Sequence, residues 1–216
     1  MSTLRTITDF KTALAGGGAR PNLFEVDIAS IPAVTEGDDG IDWDADTFKF
    51  LCKAAALPAS NVAPIDVPFR GRILKVAGDR TFDTWTVTVI NDEDFKLRSA
   101  FELWMNGISK LDNNTGATNP TSYMANAVVH QLGRGANKRM AESTTNSEIA
   151  GGTEIKPLRT YMFRDIFPTN ISQIDLSYDT GDTIEEYTVE FQVQYWTAGS
   201  KQITGGATDQ AGVSIT

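Results

Sequence analysis

The chain has 216 residues and a formal net charge of −9, from 19 Lys and Arg against 28 Asp and Glu. That balance disfavours wrapping DNA, which needs clustered basic side chains, although it also serves simply to keep a protein soluble. A single cysteine, Cys52, excludes an intramolecular disulfide framework. No apolar run approaches the roughly 20 residues that span a bilayer. No apolar segment follows Met1-Ser2-Thr3-Leu4-Arg5, so neither a signal peptide nor a membrane anchor is expected. A chain of this length buries roughly 70% of the surface it exposes when unfolded, enough for a real core.

Ile7, Phe10 and Leu14 share one helical face, with Thr8 or Asp9 as N-cap and Gly16-Gly17-Gly18 as terminator. Residues 1–18 therefore read as a flexible N-terminal arm. From Asn22 to Ile28, Phe24, Val26 and Ile28 alternate with Glu25 and Asp27, the pattern of a half-buried strand. An acidic loop, 31–46, leads to a second expected strand from Thr47 to Ala54, with Phe48, Phe50 and Cys52 on one face. Ile65, Val67 and Phe69 alternate, and Pro64 and Pro68 argue for an edge strand. Arg70-Gly71 turns the chain into a partner strand at Ile73 to Ala77, and Gly78-Asp79 reads as a further turn. From Thr81 to Ile90 the apolar residues Phe82, Trp85, Val87 and Val89 face Thr84, Thr86 and Thr88 across a β-rich segment.

One helix is predicted after an Asn91 or Asp92 cap, with Glu93 and Asp94 in its first turn. Leu97, Phe101, Trp104 and Ile108 form its apolar stripe, and Gly107 marks the fraying end. Residues 112–121 form a polar loop, and shorter strands are expected near 126–132, 137–143 and 153–164, with a loop over 142–152. Ile174, Leu176 and Tyr178 suggest a strand that turns at Asp179 to Asp182 and returns through Tyr187, Val189, Phe191, Val193 and Tyr195. Residues 197–216, rich in Gly, Ala, Ser and Thr, read as a flexible tail. Roughly ten strands without βαβ alternation imply a mainly β fold, an antiparallel sandwich or barrel with one flanking helix. The candidate core is Phe24, Trp85, Leu97, Phe101, Trp104 and Phe191.

Patterns for catalysis and cofactor binding are missing. His130, the single histidine, has no Gly-x-Ser-x-Gly elbow to serve, and Cys52 and His130 lack zinc-ligand spacing. Gly16-Gly17-Gly18 precedes a strand instead of opening a helix, so it is no phosphate cradle. Asp42-Trp43-Asp44-Ala45-Asp46 matches half a calcium loop, but Thr47 and Lys53 stand where Gly and Glu are needed. Glu186 and Glu190 share a strand face, which a polar outer surface explains as well as a catalytic pair does. Arg134, Lys138 and Arg139 cluster beside glycines, as a surface hairpin or a salt-bridging subunit contact. No enzyme and no cofactor is expected. A carbohydrate-binding or hydrolytic sandwich is the reading from another class, and the inward alternation of the aromatics counts against it.

Several segments resemble the tail tube proteins of contractile-tailed phages. They are Ala19-Arg20-Pro21-Asn22-Leu23-Phe24, Cys52-Lys53-Ala54 with Leu57-Pro58, and above all Val76-Ala77-Gly78-Asp79-Arg80-Thr81-Phe82-Asp83. Trp85-Thr86-Val87-Thr88-Val89, Asn91-Asp92, Pro168-Thr169-Asn170 and the end at Tyr195-Trp196 continue the resemblance, which covers about 19–196. Residues 31–46, 112–121 and the tail after 196 depart from it.

The resemblance implies a tail tube β-domain over 19–196, six copies to a ring and rings stacked around a lumen. It further implies partners: the sheath, baseplate and tail terminator proteins outside, and the tape measure protein in the lumen before ejection. DNA would transit without specific binding, and the protein would reside in the virion after assembly in the host cytoplasm. A tube-initiating baseplate protein or a bacterial contractile secretion tube is the nearest alternative. The arm, the 65–77 hairpin and the 78–83 segment become candidate interfaces, with Arg20, Arg70, Arg72, Asp79, Arg80 and Asp83 as candidate contact residues. Asp79, Arg80 and Asp83 equally suit local hydrogen bonds that fix a turn.

Overall fold

The computed structural model describes residues 6–14, 18–32, 42–133, 157–179 and 181–199. Nine strands and three α-helices occur among them. The strands are β1 (Phe24–Asp27), β2 (Cys52–Ala55), β3 (Ser60–Phe69), β4 (Arg72–Phe82), β5 (Trp85–Ile90), β6 (Ala125–Leu132), β7 (Pro157–Ile171), β8 (Glu186–Gln192) and β9 (Tyr195–Gly199). The helices are α1 (Ile7–Ala13), α2 (Ala45–Leu51) and α3 (Lys96–Ile108). Seven strands form one antiparallel system in the order β1-β6-β7-β8-β5-β2, with β9 added to β7. The remaining two, β3 and β4, pair with each other and, among the described residues, with no other strand.

The long strand β7 makes the sandwich. Its first part pairs with β6 and β9, and from Phe167 onward it pairs with β8. Between them lies a bulge: Arg164 and Asp165 oppose the single residue Asn126. Asp165 takes φ 52°, and its amide donates to Asn126 Oδ1 at 3.2 Å. The extra residue re-aims the chain, so Phe163 and Ile166 both point into the core although three apart. This broken alternation hides the 15-residue strand from a period-2 reading, which finds only a shorter one ending at 164.

The core is aromatic. Trp85 stacks on Phe163 with ring centroids 4.4 Å apart. Phe191 on β8 lies within 5.4 Å of Trp85, 5.9 Å of Phe101 and 6.1 Å of Trp104, centroid to centroid. Helix α3 buries Leu97, Phe101 and Trp104, while Phe24 is only half-buried at the core margin. The buried indoles keep their hydrogen bonds, as such groups must: Trp104 Nε1 donates to the Tyr123 carbonyl at 2.7 Å and Trp85 Nε1 to that of Ala56 at 2.9 Å.

Several local expectations give way to tertiary context. The segment expected as a strand from Thr47 is helix α2 up to Leu51, with only Cys52–Ala55 extended. Asp44 caps it by accepting from the amides of Asp46 and Thr47, so the acidic run there is a helix start. Phe48 and Cys52, four apart, point inward, whereas Phe50 is 85% exposed. Trp43 donates to the Ile28 carbonyl and packs on Phe48 and Phe101. Helix α3 begins at Lys96 behind Phe95 in the left-handed region, without a side-chain cap, so neither Asn91 nor Asp92 starts it and Gly107 is buried inside it. Helix α1 is capped by Thr6, not Thr8 or Asp9; Thr6 and Asp9 satisfy each other's amides in a capping box.

Gly78-Asp79 is no turn. The pair sits inside β4 opposite the single residue Ala63, a bulge, and a Cβ on Gly78 would lie 2.6 Å from the Ala63 carbonyl oxygen. The chain breaks at Asp83-Thr84, between β4 and β5, instead of running unbroken from Thr81 to Ile90. The described residues of 172–185 contain no strand. The hairpin expected of Ile174–Tyr178 with 187–195 is absent, and β8 pairs with β5 and β7 instead. The final strand divides in two, β8 ending at Gln192 and β9 starting at Tyr195. The strand expected at 137–143 and the loop over 142–152 lie outside the described residues, as does the cluster of Arg134, Lys138 and Arg139.

Candidate functional site

Among the described residues no group of three or more His, Cys, Asp and Glu is placed to hold a metal, and no helix is long and apolar enough to cross a membrane. Burial pushes the Cys52 thiol up to about 12, which keeps it protonated and inert at neutral pH. Glu186 is tied to Lys53 by an ion pair.

His130 lies half-buried on β6, its Nδ1 2.9 Å from Thr160 Oγ1. Burial holds its pKa below the ordinary value; Glu25 and Asp27 on the adjoining β1 oppose the shift, and Lys49 adds to it. A base whose folded pKa is depressed binds protons more readily when unfolded. Its contribution therefore weakens as pH falls through the unfolded value of about 6.5. Chemical denaturation at pH 7.5 and 5.5 should show a loss of stability that shrinks in His130→Gln. Equal losses in both proteins would refute the assignment.

The distinctive surface is the β3–β4 hairpin. Arg70 and Gly71, with φ 46° and 83°, make the two-residue turn between Phe69 and Arg72. Positive φ at both central residues matches the right-handed twist of paired strands. Gly71 supplies it at no steric cost, and the Arg70 guanidinium lies 5.4 Å over the Phe69 ring. Both faces are exposed along 62–69 and 72–77, so the arm stands clear of the sandwich. Its base is fixed. Asp83 accepts from Asn61 Nδ2 at 3.0 Å, Phe82 packs edge-on against Trp196 at 6.3 Å, and Trp196 Nε1 donates to the Ala59 carbonyl.

Side chains of directly opposed residues share a face. The pairs Ile65–Val76, Val67–Leu74 and Phe69–Arg72 therefore place five large apolar side chains together. They are between 43% and 66% exposed. The opposite face carries Pro64, Pro68 and Ile73, with the Asp66–Lys75 ion pair at 2.8 Å among them. Scattered exposed apolar residues are ordinary, but a contiguous apolar strip on a projecting arm marks an interaction surface.

Helix α1 repeats the pattern. Ile7, Phe10 and Leu14 are 68%, 61% and 47% exposed. Seven residues are too few to hold a helix alone in water, so this face also suits a partner. A third exposed stretch joins β7 to β8, where Leu176, Tyr178 and Ile184 stand in solvent among five carboxylates between Asp175 and Glu186.

The hairpin gathers most of the candidate contact residues. Arg70 and Arg72 lie at its tip, Asp79 and Arg80 in the bulged part of β4, and Asp83 at its base. Arg20 lies apart, beside β6, where its carbonyl accepts from Gln131 Nε2. The alternation of Ile65, Val67 and Phe69 does not by itself mark the apolar strip as a contact, because it is the pattern of any half-buried strand.

A family model of phage tail tube proteins matches residues 19–199. The chain belongs to that family. The tail tube subunit is 36% identical over 182 residues to tail tube protein gp19 of Enterobacteria phage T4, a match spanning 84% of this chain and 93% of that relative. It is 23% identical over 194 residues to the tail tube protein of Serratia phage KSP90, spanning 88% and 94%. Its fold resembles a chain of the six-fold symmetrised baseplate of the anti-feeding prophage, with TM-score 0.52 and 12% identity over 84% of this chain and 95% of that one. A chain of that particle's tube-terminating cap gives TM-score 0.51 and 16% identity over 85% and 92%. The tail tube subunit is thus a virion structural protein with a mainly β fold shared across such assemblies.

Proposed function

We propose that the subunit builds the inner tube of a contractile phage tail, six copies to a ring and rings stacked around a lumen through which DNA is ejected. Its role is architectural, not catalytic. The carrying observation is the projecting hairpin with an uncovered apolar face, in a chain of the tail tube family. Such a face gains on the order of 5 kcal/mol when a neighbour covers it, at about 1 kcal/mol for each half-exposed side chain. Six-fold order is supported by the fold shared with the six-fold baseplate particle.

The sheath protein would surround the tube, baseplate and terminator proteins would begin and end it, and the tape measure protein would fill it before ejection. Assembly would proceed in the host cytoplasm. With a net charge of −9, an acidic lumen would repel phosphate and let DNA slide; a tube reconstruction showing a neutral or basic lining contradicts that point.

Negative-stain microscopy of the full chain at rising concentration, with and without a baseplate seed, tests the reading. Hollow tubes of uniform diameter are the expected result. Monomers that persist after seeding overturn it, and assembly that stops at one or two rings transfers the role to a tube initiator.

A further inference from the structure

Two exposed features outside the hairpin complement each other. Helix α1 and its cap carry Ile7, Phe10 and Leu14 at i, i+3 and i+7, the anchor spacing of a helix that lies in a groove. Lys11, one turn beyond Ile7, borders that stripe. Asp9 lies on the other side of the helix, engaged with Thr6 in the capping box. Between β7 and β8 an open groove of about 560 Å³ is lined by Leu176, Tyr178 and Ile184 together with Asp175 and Glu185. Its three large apolar side chains are at least 73% exposed. Residues 174–186 carry five carboxylates and no basic side chain, whereas residues 1–20 carry Arg5, Lys11 and Arg20 against Asp9 alone.

We infer that α1 of one copy docks its apolar stripe in the 174–186 groove of a second copy, with Lys11 against the carboxylates of the rim. This rests on the tube reading, which supplies the second copy. Reach argues against the same copy. Gln131 Nε2 holds the Arg20 carbonyl at 2.8 Å, and Gln131 stands opposite Arg159. The arm therefore leaves the sandwich level with the start of β7, and the chain from Arg20 back to Leu14 spans at most about 21 Å. The groove follows Ile171, the end of the same strand, after roughly 40 Å of strand path. Even a right-angle bend at the Asp165 bulge leaves roughly 26 Å between those two levels. A subunit's own arm thus falls short of its own groove. Arm and groove are different surfaces at opposite ends of β7, so the contact is head-to-tail and can repeat from one copy to the next. Opposite charges orient the arm, and covering the apolar side chains supplies the affinity.

A carbodiimide joins a lysine amine to a carboxylate that it touches, so the contact is testable without any substitution. Tubes are assembled from an equal mixture of unlabelled and isotope-labelled full-length chains, treated with the carbodiimide and mapped by peptide mass spectrometry. Lys11 should be linked to Asp175, Asp179, Asp182 or Glu185, in pairs that join an unlabelled to a labelled peptide. The apolar half of the contact is tested by substitution. Phe10→Asp should raise the concentration needed for assembly about tenfold or more, and Phe10→Leu should assemble like the wild type. Neither should shift thermal unfolding of the monomer, since α1 buries no side chain. Tubes in which Lys11 is not linked to this loop overturn the docking and leave the tube reading standing, as does a Phe10→Asp chain that assembles like the wild type. Linked pairs that never mix the isotopes show each arm in its own groove and overturn the assignment to a second copy. A wild-type chain that forms no tubes when seeded overturns both readings.

Discussion

Val67→Asp combined with Leu74→Asp should abolish tube formation while leaving the subunit folded. The two residues are a cross-strand pair at the middle of the exposed apolar face, 43% and 63% exposed. In the free subunit the carboxylates remain in water, although like charges placed opposite each other cost a few tenths of a kcal/mol in the ribbon. The sandwich core is untouched, so its unfolding midpoint should move little, as for other surface changes within about 0.5 kcal/mol. In a contact that covers this face, the same carboxylates must be buried without partners, which is far costlier. Losing the apolar gain of these two side chains alone, on the order of 2 kcal/mol, weakens association by roughly thirtyfold, and the buried carboxylates add to that loss. Sedimentation measures the concentration at which assembly begins, and circular dichroism confirms folding. Tubes forming at the wild-type concentration would show that the apolar face is not a subunit contact.

Phe191→Ala should lower the stability of the subunit by about 3–5 kcal/mol. The ring is fully buried at the meeting point of Trp85, Phe101 and Trp104, which come from β5 and α3. Removing it leaves a void between sheet and helix, and three large rings cannot collapse into it without leaving their rotamers. Since small domains hold only about 5–15 kcal/mol in total, much of the margin disappears. Denaturant titration measures the loss, with the slope unchanged if the unfolded state is the same. A loss below about 1 kcal/mol would mean that the aromatic cluster repacks freely. The two variants separate roles that look alike in sequence: both remove strand hydrophobes, one from the core and the other from the surface.

That likeness explains what the sequence reveals and what it hides. The strands β5 and β8 are legible because their neighbours lie in a regular sheet, so Trp85, Val87 and Val89 alternate strictly, as do Tyr187, Val189 and Phe191. Helix α3 is legible from its stripe, but its start is not, since Phe95 enters it in a left-handed conformation with no polar cap to announce it. Phe48, Phe50 and Cys52 fit a strand by spacing, yet helix α2 uses Phe48 and Cys52 and discards Phe50 to solvent. Gly78-Asp79 has turn chemistry, but a bulge makes the same demand for a residue without a side chain. Ile174, Leu176 and Tyr178 alternate but form no strand.

The hairpin is the instructive case. Its turn and its prolines are readable from Arg70-Gly71 and from Pro64 and Pro68. That its apolar face lies outside the core is not, because burial against another subunit and burial within one produce the same alternation. The structure separates the two by leaving Ile65, Phe69 and Leu74 in solvent while Val87, Val189 and Phe191 are fully enclosed.

The most direct measurement is an electron cryomicroscopy reconstruction of the tube assembled from the full chain. Ile65, Val67, Phe69, Leu74 and Val76 should be buried against a neighbouring subunit. A tube in which this face remains in solvent, with subunits joined through other surfaces, would contradict it.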